Sequence, residues 1–386
     1  MAPTLIVGGG IGGLATALAL ARVGRAVHVV EKAPEFGEIG AGLQLAPNAV
    51  YVLERLGLMG EIGKHAVFPN RLVWMDALDE TRITYVYLGE PFRRRYGHPY
   101  LVMHRGDLLN VLLEACRAER NITLESSCNV TAVDDLGDAA CARFADGTAC
   151  ETELLIGADG LWSTVRGAVV TDAPTAEPYV AYRGTIPMER MSRHAGLDNV
   201  VMWVGPDMHF VQYPVRRGEL YNQVAVFKSR RYKLNSEDWG TVDELDAHYA
   251  QTCEYVRSSI TLMWRDKRWP MLDRPPILRW NRNRIVLMGD AAHAMLQYIA
   301  QGACQAIEDA QALADCIARA PADIPAAVAA YESTRTLRTA RVQLTARAMG
   351  AFFHMQGVPA QVRNAMMRAR APDDYSMLDW LYGYRV

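Results

Sequence analysis

Three glycines near the start of the chain, Gly8, Gly10 and Gly13, stand in the spacing G-x-G-x-x-G, and Glu31 follows eighteen residues after the last of them. Those residue types at that spacing suit the holding of a dinucleotide. Gly8 allows a tight turn, Gly10 lets the backbone approach a pyrophosphate, and Gly13 lets a helix lie close on a strand. Glu31 is placed to accept hydrogen bonds from an adenosine ribose. The glycines alone fit NAD and FAD equally. Two later strand ends carry a carboxylate at a sharp turn: Asp159-Gly160 in LLIGADGLWSTVR and Gly289-Asp290 in IVLMGDAAHAM. Such a carboxylate suits a ribityl hydroxyl. A helix predicted to begin near Gly302 would bring partial positive charge to a flavin ring that becomes anionic on reduction.

These residues need elements to position them. Leu5 to Val7 is a short apolar β run, Leu14 to Val23 an Ala- and Leu-rich helix, and Ala26 to Val30 a second β run ending in Glu31. The pattern then predicts a glycine-rich loop, a helix from near Pro47 to near Gly57, and strands around an acidic turn over 71–89. An amphipathic helix over 104–119 follows, with strands over 123–133 and a hairpin at FADGTA leading into ELLIGADG. Residues 178–229 read as strands of a separate sheet covering a pocket, and 242–260 as helical. One more apolar strand precedes GDAAHAM, and beyond Gln301 the chain reads as almost wholly helical.

Composition narrows the function class. Half of the 386 residues are hydrophobic, 22% are charged and the net charge is -2, so no basic field recruits nucleic acid. The seven cysteines form no CxxC pair, which argues against a metal site or a disulfide framework and for a reducing cytoplasm. The apolar N-terminus lacks a basic start and is broken by five glycines in six positions, unlike a signal peptide. No run of about twenty apolar residues predicts a membrane span.

With GGGIGG…E, GADGLWSTVR and GDAAHAM in this order, the chain resembles the single-component flavoprotein aromatic hydroxylases, which include p-hydroxybenzoate and salicylate hydroxylases. The resemblance implies an α/β fold: an FAD-binding, Rossmann-like domain of the glutathione reductase type, an inserted β-sheet substrate domain, and C-terminal helices. The expected boundaries are 1–70, 98–177 and 275–320 for FAD, 71–97 and 178–274 for substrate, and 321–386 for the helical segment. It implies tightly bound FAD, with NADH or NADPH as a transient reductant and O2 as co-substrate. Carried over residue by residue, Gly8, Gly10, Gly13 and Glu31 bind the ADP half of FAD, with Lys32 beside them, and Arg105 approaches the diphosphate. Asp159 serves both FAD and the nicotinamide visit. Asp290 takes the ribityl chain, and Gly302 and Ala303 offer N–H groups to the isoalloxazine. One departure is Ala294, where the family usually has proline.

A finer resemblance, in HFVQYPV, LQYIAQGACQAIEDA and LDWLYGY, is to the 3-hydroxybenzoate 6-hydroxylase branch of that family. The chemistry there oxygenates an electron-rich ring, and a phenolate is a far better nucleophile than a phenol, so a base near the phenolic oxygen, with a pKa suited to neutral pH, is expected. His209, Val211 and Tyr213 would share one face of a strand, because side chains alternate with period two. The resemblance implies His209 as base, with Tyr213 and Gln301 orienting the substrate. Against these stand plainer roles: a satisfied core histidine, a core tyrosine, and a cap on the helix after Gln301. His293 is expected to be a structural hydrogen-bonder. The leading expectation is conversion of 3-hydroxybenzoate to 2,5-dihydroxybenzoate (gentisate) by a cytoplasmic homodimer. A decarboxylating salicylate- or 6-hydroxynicotinate-type hydroxylase, a hydroxylase of a larger phenol and a non-catalytic FAD-binding aromatic sensor are the alternatives. Arg93 to Arg95 read as a solvated loop, and Arg335, Arg338, Arg341 and Arg347 as a solvated helix face. The C-terminal aromatics would form a dimer contact or close the pocket.

Overall fold

The computed structural model describes residues 4–37, 40–191, 198–233, 236 and 238–386. Its first layer is a six-stranded sheet in the order Asn281–Arg282, Ile285–Leu287, Leu155–Gly157, Thr4–Val7, Val27–Val30, Ile122–Glu125. All pairings are parallel except the edge pair Asn281–Arg282 with Ile285–Leu287. The strands are short and apolar because both faces are covered. The helix Ile11–Arg22 lies on this sheet, against the helices Arg105–Ala118 and Gly302–Arg319, and is buried over nearly its whole length. Its alanines and glycines permit that close approach. Residues 38 and 39 of the glycine-rich loop after Glu31 lie outside the described residues. Beyond them Gly42–Leu45 pairs with Leu101–His104.

The second layer is a seven-stranded sheet, ordered Arg268–Asp273, Thr175–Pro187, Leu220–Lys228, Met208–Val215, Asn199–Gly205, Arg71–Asp76, Arg82–Tyr87. One face packs Trp203, Phe210, Phe227, Tyr249 and Tyr255 into a separate core. The helical stretch expected over 242–260 is two helices, Val242–Tyr249 and Glu254–Thr261. They part where Cys253 N–H donates to the Ala77 carbonyl. No helix among the described residues is long and apolar enough to cross a membrane.

Two surface expectations are corrected. Arg93 to Arg95 belong to the short helix Glu90–Tyr96, not a loop, and Arg95 pairs with Asp379. On the helix Ile324–Phe353, Arg335 and Arg338 are buried rather than solvated, while Arg341 is exposed and Arg347 half-buried. The cause is across the interface: Glu308 and Asp309 on the helix Gly302–Arg319 are themselves fully buried. Arg335 pairs with both, and Arg338 with Glu308.

Candidate active site

A single cavity of about 1050 Å³ runs from the glycine turn to the inner face of the seven-stranded sheet. That exceeds the upper end, about 1,000 Å³, of ordinary small-molecule pockets. Every residue proposed from the sequence lines it except Gly13, which is buried in the first turn of the helix Ile11–Arg22.

At the glycine end the strand Thr4–Val7 delivers the chain to Gly8, whose φ of +109° is open to glycine. A Cβ on Gly8 would meet the Ala158 carbonyl oxygen at 2.3 Å, and one on Gly13 the Gly8 oxygen at 2.0 Å. The turn therefore holds backbone against backbone, with Gly10, Ile11 and Gly12 at the start of the helix Ile11–Arg22 lining the cavity, a cradle that suits a pyrophosphate. Glu31 is held at the mouth by hydrogen bonds from the N–H groups of Gly9 (2.8 Å) and Ala33 (2.9 Å). Lys32 and Arg105 line the same end. These residues fit the dinucleotide half of FAD.

In the middle, Asp159 accepts from Ser163 Oγ (2.5 Å) and from the N–H groups of Thr164 (2.7 Å) and Val165 (3.1 Å), capping the turn that follows it. Burial nevertheless pushes its carboxyl upward, against those hydrogen bonds. The buried Arg166 pairs with Asp172 and donates to the carbonyls of Ala291 (2.7 Å) and Ala292 (2.9 Å), so it ties the two Gly-Asp turns together. Asp290 itself is exposed to the cavity. His293 Nε2 lies 2.6 Å from Asp309, a carboxylate that also accepts from the Gly289 N–H. Burial opposes the Asp309 charge, but His293 and Arg335 hold its carboxyl down at about 2. Gly302 and Ala303, at the start of an eighteen-residue helix, complete this wall.

The far end is built by sheet register. Arg183, Val224, Val211, Met202, Trp74 and Thr84 are cross-strand neighbours in one row and all line the cavity. His209 and Tyr213 sit two residues to either side of Val211, so the alternation brings all three to this surface. Tyr213 is buried, which pushes its phenol well above the ordinary value, with Arg183 and Gln44 offsetting part of that. Gln301 precedes the helix but its side chain caps nothing. Its Oε1 instead accepts from Asn48 and Gln305.

His209 has a partner the sequence did not single out. Its Nδ1 lies 2.8 Å from Nε2 of His354, the two rings stack at 5.1 Å, and His354 stacks in turn on Tyr179 at 4.4 Å. Burial lowers the pKa of His209 to about 3. Burial, reinforced by His209 and nearby cations, lowers that of His354 to about 2. Both imidazoles are thus neutral at pH 7, and His209 lies well below the near-neutral value expected of the base, because its burial disfavours the charged form. His354 follows the long helix in FFHM, where nothing in the pattern marks it. Tyr100, whose hydroxyl donates to Gln44 Oε1 at 2.5 Å, also lines the cavity and was not foreseen. The C-terminal segment closes this side, with Leu378, Trp380, Leu381 and Tyr382 all facing the cavity.

Comparison with known proteins agrees with this geometry. A family profile described as an FAD binding domain matches residues 1–346. The chain is 39% identical to a 3-hydroxybenzoate 6-hydroxylase of Polaromonas naphthalenivorans (strain CJ2), covering 100% of this chain and 96% of that one. It is 35% identical to the 3-amino-4-hydroxybenzoate 2-monooxygenase PtmB3 of Streptomyces platensis, over 99% and 96% of the two. Among solved structures, Klebsiella pneumoniae HpxO complexed with FAD and uric acid superposes with a TM-score of 0.83 at 25% identity, over 98% and 96% of the chains. A salicylate hydroxylase substrate complex gives 0.82, also at 25%, over 99% and 95%.

Proposed function

The chain belongs to the FAD binding domain family and is an FAD-dependent aromatic-ring monooxygenase; from that premise we propose that its substrate is 3-hydroxybenzoate and its product 2,5-dihydroxybenzoate (gentisate). The observation that carries the reading is a neutral, buried His209 on the cavity wall beside Tyr213 and Gln301. The 3-hydroxybenzoate 6-hydroxylases that match along the whole chain support it. FAD, reduced by NADH, supplies the oxygen atom from O2. The protein's part is to bind the ring, turn it and move one proton.

Gly8, Gly10, Gly13, Glu31, Lys32 and Arg105 hold the ADP half of FAD, and Asp159, Asp290, Gly302 and Ala303 the flavin half. His209 is assigned the tautomer whose Nδ1–H donates to His354 Nε2, which leaves its own Nε2 as an acceptor. The phenolic O–H bond breaks and its proton passes to that nitrogen, so electron density flows into the ring. Burial keeps His209 neutral and able to accept, and an anionic ring oxygen beside it then favours the protonated form. Tyr213 and Gln301 orient the acid. The labour divides between 1–70, 98–177 and 275–320 for FAD and 71–97 and 178–274 for the substrate, with 321–386 closing the cavity. The same reading includes a cytoplasmic homodimer.

The deciding experiment measures NADH consumption by the FAD-loaded protein with and without 3-hydroxybenzoate, followed by chromatography of the product. Stimulated consumption with gentisate formed is the expected result. Stimulation that yields only hydrogen peroxide would make 3-hydroxybenzoate an effector, and no stimulation would move the search to salicylate, 6-hydroxynicotinate and larger phenols.

A further inference from the structure

Behind the reaction end of the cavity, a chain of amides ends on buried charges. Gln301 is almost fully enclosed and lines the cavity. Its Oε1 accepts from Asn48 Nδ2 and from Gln305 Nε2, each at 3.0 Å. Its Nε2 is buried without a protein partner among the described residues.

An amide can turn end over end, so the question is what forbids the flip. Gln305 is held at both ends: its Oε1 accepts from Arg335 Nη2 at 2.8 Å, and its Nε2 donates to Glu308 Oε1 at 3.0 Å. A guanidinium can only donate and an ionised carboxylate only accept, so exchanging oxygen and nitrogen would oppose like with like. Burial disfavours the Glu308 charge, but Arg335 and Arg338 outweigh it and hold the carboxyl below its ordinary value. The same carboxylate fixes Asn48, whose Nδ2 donates to it. Two donors therefore meet the Gln301 oxygen. A flipped Gln301 would face them with its own N–H groups and lose both bonds. The polarity of a buried ion cluster is passed through Gln305 and Asn48 to the cavity wall.

We infer that Gln301 is a donor-only recognition group for an oxygen acceptor of the bound aromatic acid, and that Asn48, Gln305 and Arg335 are positioning residues that keep it so. The inference rests on the aromatic-acid reading above and sharpens it. The complementary ligand group is an oxygen without hydrogen, a carboxylate or a phenolate. An N–H in its place is disfavoured, because a buried donor would face a donor.

The test titrates FAD-loaded enzyme with 3-hydroxybenzoate, 3-hydroxybenzamide and 3-aminobenzoate, following the flavin absorbance. The proteins are wild type, Gln301→Leu, Asn48→Leu, Gln305→Met and the double variant Asn48→Leu/Gln305→Met. A merely structural defect weakens all three ligands together. Release of the amide instead changes their ratio, because Gln301 can then offer its carbonyl. The expected fall in preference for 3-hydroxybenzoate over one analogue is about threefold in each single variant and about tenfold, about 1.4 kcal/mol, in the double. The preference over the benzamide moves if Gln301 meets the carboxylate, and that over the aminobenzoate if it meets the phenolic oxygen. Gln301→Leu removes the same preference. Should the double variant fail to fold, the single variants decide: ratios unmoved in both overturn the inference, as do ratios unmoved in Gln301→Leu. If 3-hydroxybenzoate binds and its ratios move, but no gentisate forms, the proposed reaction fails and the inference stands. If gentisate forms but the ratios stay unmoved, the reaction stands and the inference fails. If none of the three ligands binds wild type, both fall.

Discussion

His209 shows what burial does to a candidate base. An exposed imidazole titrates near 6.5 and would be partly charged at neutral pH, whereas here two stacked imidazoles share one hydrogen bond in an enclosed place and both stay neutral. Replacing His209 by Ala is expected to preserve bound FAD but slow hydroxylation at neutral pH by about a hundredfold or more. Unchanged turnover in that variant would remove His209 from the mechanism. The pair also bears on stability. The unfolded chain takes up these protons as pH falls below about 6.5, while the folded chain does not until about 3 and about 2. Stability is full above 6.5 and declines as pH falls, by up to about 1.4 kcal/mol per pH unit for each histidine. Urea unfolding between pH 7 and pH 4 reads this, and the fall is expected to be shallower in His209→Leu/His354→Phe than in wild type. Parallel slopes would show that the pair is not what couples acid to unfolding. At this scale the sequence showed His209 and Tyr213, because alternation along a strand is a local property. It did not show His354, which meets His209 across 145 residues of chain.

At the scale of elements, the first strand, turn and helix are closest to what the residues alone dictate. Thr4–Val7 forms where the apolar β run predicts it, while the helix expected from Leu14 to Val23 starts earlier, at Ile11, and takes Gly12 and Gly13 into its first turn. The turn has no slack: a methyl group on Gly13 would overlap a carbonyl of its own turn. Gly13→Ala is expected to weaken FAD binding by about a hundredfold, equivalent to about 2.8 kcal/mol. The flavin content of the purified protein and its recovery on adding FAD measure this, and full retention of flavin would contradict the tight fit. The helices over 242–261 and the short helix at Glu90–Tyr96 were less legible. Helices this short are settled by tertiary contacts more than by propensity, and the break near Cys253 depends on a bond to Ala77, in the turn after the distant strand Arg71–Asp76.

Across the whole molecule, charge decided what patterning could not. Four arginines spaced along one helix read as a wet face, yet two of them are buried because their partners sit on another helix. Arg338 also donates to the carbonyls of Trp380 (2.7 Å) and Leu381 (2.8 Å), so the cluster holds the C-terminal segment against the cavity. Arg335→Met is expected to cost about 3–5 kcal/mol of unfolding free energy, because Glu308 and Asp309 are left with too little positive charge in a dry place. Denaturant titration checks this, and a loss within about 0.5 kcal/mol, typical of surface changes, would mean that the cluster is solvated after all. What the sequence by itself determined is whatever depends on neighbours along the chain: the glycine cradle, the Gly-Asp turns, the shared face of His209, Val211 and Tyr213, and with them the FAD chemistry. Only the tertiary structure decided the pairing of His209 with His354, the burial of Arg335 and the direction in which Gln301 points its amide. Each of these is a contact between groups far apart in the chain, whose energy depends on the water that folding removes from around them.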